Sequence, residues 1–486
     1  MPAEKNVCQN GTPCESAPKT EEKASTQPVL KAENTPQPNW EMLAPKPFVA
    51  NTADRWFALG FYLLGYLYVR YMVLNRSLNS ANWQFGWLQY GVTLFVCVFA
   101  AAVLGYCFIQ RRTVPKQSWF WLDVLLALAA AYSLWQNTAL AGWQGLALHA
   151  AAVYWTLTAT GALVEDKTGS FLPADLLNGF IIVPFGNFFA RIRCMFMALR
   201  GKGSGKKALQ ILLGVGLLFL ALLCILPLLM NADESFAALV NGLQISWANI
   251  WYNEHFGIFL FGLPVGAYLF GLAYGGVHKC CTAAFVPNKV RSAAQHCHAV
   301  PDVSTYTVLG GVCAVYVLYI AVQAKSLFSA FGGQLYGTDN YSEYAREGFF
   351  GLCFVAVLNA ALLLAANVCS KTPRKNSRVL RMFNIVLACL TLLILASAAQ
   401  KMFLYVGAYG LTPKRVLVVT FLLFLAVVFV ALIIWQFKQF NLVRGCFIFG
   451  AVLFCALALC NIDGIISSYN AAHEKPQQTQ SIVLDR

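Results

Sequence analysis

Eleven long apolar runs, separated by loops that alternate in charge, constrain this chain more than any other feature. The first begins at Trp56 and the last ends near Cys460, and most are 18 to 24 residues long with almost no charged side chain. About 20 apolar residues in a helix cross the roughly 30 Å hydrocarbon layer of a bilayer, and only a helix or a closed barrel satisfies its own backbone there. The pattern predicts an all-α polytopic transmembrane bundle of about eleven spans, at about 56–74, 87–110, 118–136, 143–164, 209–230, 257–277, 305–325, 349–369, 380–401, 415–436 and 446–460. Composition agrees: 12% of the 486 residues are charged and 58% hydrophobic, where a soluble domain holds about a quarter charged. Tryptophans at the run ends (Trp56, Trp87, Trp119, Trp121, Trp135, Trp143 and Trp435) fit an interfacial belt.

Loops 111–117, 165–208, 279–304, 370–381 and 437–445 hold twenty Lys and Arg, whereas the intervening loops hold seven, from Arg70 to Arg415. By the positive-inside rule the first set is cytoplasmic, which puts the N-terminus inside and, after eleven spans, the C-terminus outside. The net charge of +14 therefore marks orientation in a membrane, and no nucleic-acid partner is expected. None of the sixteen cysteines falls in an outer loop, so an extracytoplasmic disulfide framework is excluded and most read as small apolar fillers.

Four regions follow. Residues 1–50, rich in Pro, Glu, Lys, Thr and Gln, read as a disordered cytoplasmic tail without a signal peptide. Residues 51–165 form an N-terminal four-helix membrane segment, 166–475 the larger membrane region, and 476–486 an outer tail. Within the larger region, segment 174–200 is apolar but interrupted by Pro184 and Gly186, and it ends in Arg191, Arg193 and Arg200. It reads either as a helix lying on or partly entering the cytoplasmic leaflet, with the basic residues of 174–207 on anionic lipid headgroups, or as a buried connector. The following GKGSGKK lacks the four-residue gap between glycines that a phosphate-binding P-loop requires.

The densest polar cluster falls on the outer side. Asn340 and Glu343 fit a capping box, and helical spacing puts Glu343 and Glu347 on one face with Tyr344 and Arg346 beside them. Lys401, Tyr405 and Tyr409 form an i, i+4, i+8 ladder that Gly410 and Pro413 end before Arg415, and Asn461 and Asp463 follow the last span. Such groups could supply acid, base or phosphate-clamping roles, or hold helix ends together by ion pairs and hydrogen bonds. The strings VYVLYIAVQAKSLF, YSEYAREGFFGLCFVAVLN, ASAAQKMFLYVGAYGLTPKR and NIDGIISSYN resemble the bacterial multi-pass membrane family of unknown function DUF4173, related to DUF4153. That resemblance covers roughly 175–475 and implies residence in a bacterial cytoplasmic membrane. It implies no reaction. Lys401 stands where the resemblance leads one to expect Arg, which puts bidentate guanidinium contact at that position in doubt.

Cys280 and Cys281 at one end of a basic loop, and His296, Cys297 and His298 at the other, offer soft and borderline metal ligands. Their spacing lacks a paired C-x-x-C or H-x-x-x-H geometry, and neither a metal nor another cofactor is expected. Within the apolar runs Asp123, His149 and Asn359 are expected to hydrogen-bond inside the bundle, since a lipid-facing polar group costs several kcal/mol. No H-E-x-x-H, G-x-S-x-G or P-loop string occurs. The sequence points to a structural or regulatory membrane protein with an outer polar site. Transport of a small solute and chemistry on an envelope or lipid-linked substrate are the alternatives.

Overall fold

Helices account for every regular element in the computed structural model, which describes residues 50–74, 90–135, 140–199, 204–242, 254–280, 292, 298–322, 324–325, 349–372 and 376–473. The N-terminal helices are α1 (Thr52–Tyr68, continued by a π turn over Val69–Val73), α2 (Gly91–Ile109), α3 (Lys116–Leu134) and α4 (Ala141–Thr160). A broken stretch follows: α5 (Leu172–Leu177), a π turn (Asn178–Ile182), α6 (Val183–Gly186) and α7 (Ala190–Leu199). Then come α8 (Ser204–Ala232), α9 (Glu234–Gly242), α10 (Glu254–His278), α11 (Asp302–Val322) and α12 (Phe349–Cys369). The chain closes with α13 (Arg378–Tyr409), α14 (Pro413–Phe437), α15 (Leu442–Leu459) and α16 (Ile462–His473).

Eight helical stretches among the described residues are long and apolar enough to cross a membrane: Gly91–Ile109, Leu172–Met197, His255–His278, Asp302–Val322, Gly351–Cys369, Arg378–Tyr409, Pro413–Phe437 and Leu442–Leu459. Their outward faces are apolar too; Val315 and Leu318 on α11 and Leu364 on α12 are more than half exposed. In water so much exposed apolar surface would drive association, whereas in a bilayer it is the natural contact with solvent.

Two cores organise the bundle. The first draws on α1 to α7, α10 and α15, the second on α11 to α14. In the first, α1 and α10 cross so closely that a Cβ on Gly65 would stand 2.1 Å from the Gly262 carbonyl oxygen, and one on Gly266 would stand 2.4 Å from that of Phe61. Small residues permit this approach, and close packing is what drives helix association in lipid. The last spanning-length helix, α15, reaches back to α3 and α4, where Phe447 packs on Trp121 and Tyr154 with ring centroids 4.8 and 5.1 Å away. At the other end of α15, Trp135 Nε1 donates to the Leu459 carbonyl at 2.8 Å.

In the second core a polar chain crosses three helices. The Tyr316 hydroxyl donates to Asn359 Oδ1 at 2.8 Å, Asn359 Nδ2 donates to Thr391 Oγ1 at 2.9 Å, and that hydroxyl donates to the Leu387 carbonyl at 2.7 Å. Beyond the helix ends, Val300 and Cys369–Lys371 exchange backbone hydrogen bonds, and Asp302 accepts from Ser370 Oγ and from the Thr372 amide and hydroxyl.

The segment at 172–199 is not one straight rod: a π turn at Asn178–Ile182 and a break at 187–189 interrupt it. At its start Asp175 Oδ1 accepts the Val164 amide just beyond α4 at 2.8 Å, and its end leads into α8. In between, the Phe180 carbonyl accepts the Tyr268 hydroxyl at 3.1 Å and Arg191 donates to the Leu263 carbonyl at 2.9 Å, both in the interior of α10. The segment is thereby packed along α10 between the end of α4 and the start of α8.

Candidate functional site

Four of the polar assemblies among the described residues are candidates for a functional site. The first begins with α1's own cap. Asn51 Oδ1 accepts the Asp54 amide at 2.9 Å, and Asp54 Oδ2 accepts the Asn51 amide at 2.8 Å, a reciprocal capping box. Asp54 Oδ1 then collects the Tyr106 hydroxyl at 2.6 Å, Gln110 Nε2 at 2.7 Å and His278 Nε2 at 3.0 Å. This carboxylate is wholly buried. It can be so because four donors and the positive end of the α1 dipole replace its water. The result joins the start of α1 to the ends of α2 and α10. Both oxygens are occupied, so the arrangement works as a fastener.

The second assembly surrounds Arg191 on α7, which is 3% exposed. Its guanidinium carbon lies 3.8 Å from the Tyr62 ring centroid, and Nη2 holds the Leu263 carbonyl. Gly266 makes room: a Cβ there would stand 2.5 Å from Nη1. The sequence left Arg191 either on lipid headgroups or in a buried connector, and its side chain is buried. Arg191 turns into the α1–α10 crossing, whereas Arg193 is exposed. Two positions along a helix rotate a side chain by about 200°, which separates the two arginines.

The third is a pair of half-buried side chains, with the Tyr68 hydroxyl 2.6 Å from His149 Nε2 and His149 Nδ1 2.6 Å from the Gly145 carbonyl. A carbonyl only accepts, so Nδ1 carries the proton and the tyrosine hydroxyl donates to Nε2.

The fourth gathers part of the expected outer site. Tyr405 and Tyr409 lie one turn apart on α13 with centroids 5.2 Å apart, and the Arg415 guanidinium carbon sits 4.1 Å from the Tyr405 centroid. Arg415 Nη1 also donates to the Tyr409 carbonyl at 3.0 Å and to that of Gly410. Asn470 on α16 clasps the same turn: its Oδ1 accepts the Leu411 amide at 2.6 Å and its Nδ2 donates to the Leu411 carbonyl at 3.0 Å. Gly410, with φ of 74°, supplies the left-handed backbone this turn requires. Lys401 is buried two turns back along α13. Asn461 caps α16 through the Gly464 amide at 2.9 Å, and Asp463 is exposed on its first turn.

Glu343, Tyr344, Arg346 and Glu347 lie outside the described residues, as do Cys281, His296 and Cys297. Of the remaining cysteine and histidine candidates, Cys280 sits just past α10, and His298 Nδ1 lies 2.8 Å from the Ser370 carbonyl. Among the described residues, no group of three His, Cys, Asp or Glu side chains is placed to hold a metal. Asp123 requires a correction. It was expected inside the bundle, but it is exposed, because Trp121, Leu122, Val124, Leu125 and Leu128 turn the inward face of α3 away from it.

Sequence reasoning missed Asp54, although Asn51-x-x-Asp54 is legible as a capping signal. It also missed Tyr106, Gln110 and Tyr68, whose partners lie 52 to 81 positions away. A family model described as a domain of unknown function (DUF4153) matches residues 98–484, which takes in α3 to α16 and most of α2. No curated protein and no solved structure matches the chain. With four-fifths of its length inside that one family model, the chain belongs to the DUF4153 family.

Proposed function

We propose that this is a structural or regulatory protein of a bacterial cytoplasmic membrane, a DUF4173-type member of its family, with eleven spans, the N-terminus inside and the C-terminus outside. Four helices beyond the apolar set just described, α1, α3, α4 and α8, coincide with runs read from the sequence and complete that count, with 172–199 as a re-entrant element. Exposed Arg193 then faces anionic headgroups. Raising the anionic lipid fraction in nanodiscs should raise the melting temperature, and indifference to lipid charge would remove that contact.

One observation carries the structural reading. Arg415 and Asn470 direct their polar groups at the backbone of Tyr409, Gly410 and Leu411. They satisfy the orphan carbonyls at the end of α13 and tie α16 to it. Arg415→Ala and Asn470→Ala should therefore each lower the melting temperature of the purified protein by several degrees, as loss of about 1–2 kcal/mol does. Unchanged stability in both would mean that these groups are held ready for a ligand, and the reading would fail.

A further inference from the structure

A half-open apolar cavity of about 380 Å³ lies among α1, α2, α4, α10 and the 172–199 segment, with Phe95, Phe99, Val153, Phe185, Phe188 and Leu269 on its walls. At about 30 Å³ per water-sized group it has room for roughly a dozen methylenes. A dry apolar void forfeits the dispersion contacts of its lining, and in a bilayer the nearest material that restores them is an aliphatic chain.

Tyr68 and His149 also line this space and give it a polar end. Because His149 Nδ1 donates to Gly145, Nε2 takes the Tyr68 proton, and a lone pair of the tyrosine oxygen is left as an acceptor. His149 lies eight residues from the start of α4, about 12 Å along the helix. Val153 stands one turn further along α4. The site thus asks for one hydrogen-bond donor beside Tyr68 and an alkyl chain along the apolar walls. A carboxylate or an ester brings acceptors only and meets the tyrosine lone pair unfavourably.

We infer that this cavity binds an aliphatic alcohol, a long single chain ending in a hydroxyl that donates to Tyr68. The full-length protein in nanodiscs would be irradiated with a diazirine-bearing dodecanol and the labelled peptides mapped. Labelling should fall on 95–99, 148–153 and 185–188. Unlabelled dodecanol should compete at concentrations roughly tenfold below those of dodecyl methyl ether, as one hydrogen bond warrants. Tyr68→Phe should erase that preference while keeping the label, and Ala152→Trp, which fills the cavity, should abolish labelling. Should the tryptophan variant fail to fold, the alcohol-to-ether comparison in the unaltered protein decides alone. Equal competition by ether and alcohol, or label spread evenly over lipid-facing helices, would overturn the inference.

Discussion

Asn359 shows how a single polar side chain acts inside this bundle. It accepts from Tyr316 and donates to Thr391, so one amide ties α12 to both α11 and α13. Hydrogen bonds between membrane helices average about 0.6 kcal/mol and reach about 1.7, so Asn359→Ala should destabilise the fold by roughly 0.5–2 kcal/mol in a detergent unfolding titration. Combined with Tyr316→Phe the loss should be less than the sum, because both changes remove the same bond. Arg191 behaves differently. It is a buried cation whose shown contacts are an aromatic ring and a carbonyl, and desolvation costs several kcal/mol against a charge-assisted bond of about 1.5–3. Arg191→Met should keep or raise the melting temperature, whereas Arg191→Ala should lower it by leaving a void. A methionine variant as unstable as the alanine variant would show that the charge itself is needed. Asn359 stood out in the sequence as a polar residue in an apolar run. The burial of Arg191 did not, since nothing in a local pattern distinguishes the arginine that meets Tyr62 from its exposed neighbour Arg193.

Among elements, close contact decides more than hydropathy does. The α1–α10 crossing depends on Gly65, Gly262 and Gly266, which bring backbone to backbone. Gly65→Ala would force a Cβ into the Gly262 carbonyl, which the far end of no flexible side chain can relieve. The expected cost is about 1–3 kcal/mol, with Gly145→Ala as a control at a position whose surroundings are open; equal stability of the two variants would show that the crossing tolerates separation. The length of the apolar runs revealed the helices, and Pro184 and Gly186, which break its run, flagged 174–200 as exceptional. Whether that stretch lay on the bundle or inside it depended on partners 70 to 90 residues away, Leu263 and Tyr268. Likewise the turn from Tyr405 to Arg415 was legible as a polar cluster, but its use of backbone carbonyls required the positions of Gly410 and Asn470.

At the scale of the molecule, the proposed topology has a direct check. With Cys460→Ser as background, an impermeant maleimide applied to intact cells should label Gly333→Cys and Ser481→Cys but not Ser25→Cys; the reverse pattern would invert the protein. An orientation could be proposed from the sequence because loop charge is a local property, whereas the assignment of helices to two cores could not. Phe447 of α15 completes an aromatic cluster with Trp121 and Tyr154 of α3 and α4, more than 290 residues earlier in the chain. Helices enter the membrane in the order they are made, so this part of the first core waits, partly solvated by lipid, until nearly the whole chain has been synthesised. The protein thus carries a check on its own completion: a ribosome that stops early leaves α3 and α4 with an unfilled seam open to quality-control proteases. Pulse-chase of a chain ending at Lys438 should show the N-terminal helices degraded faster than in the full-length protein, and Phe447→Ala should shorten lifetime in the same direction but by less.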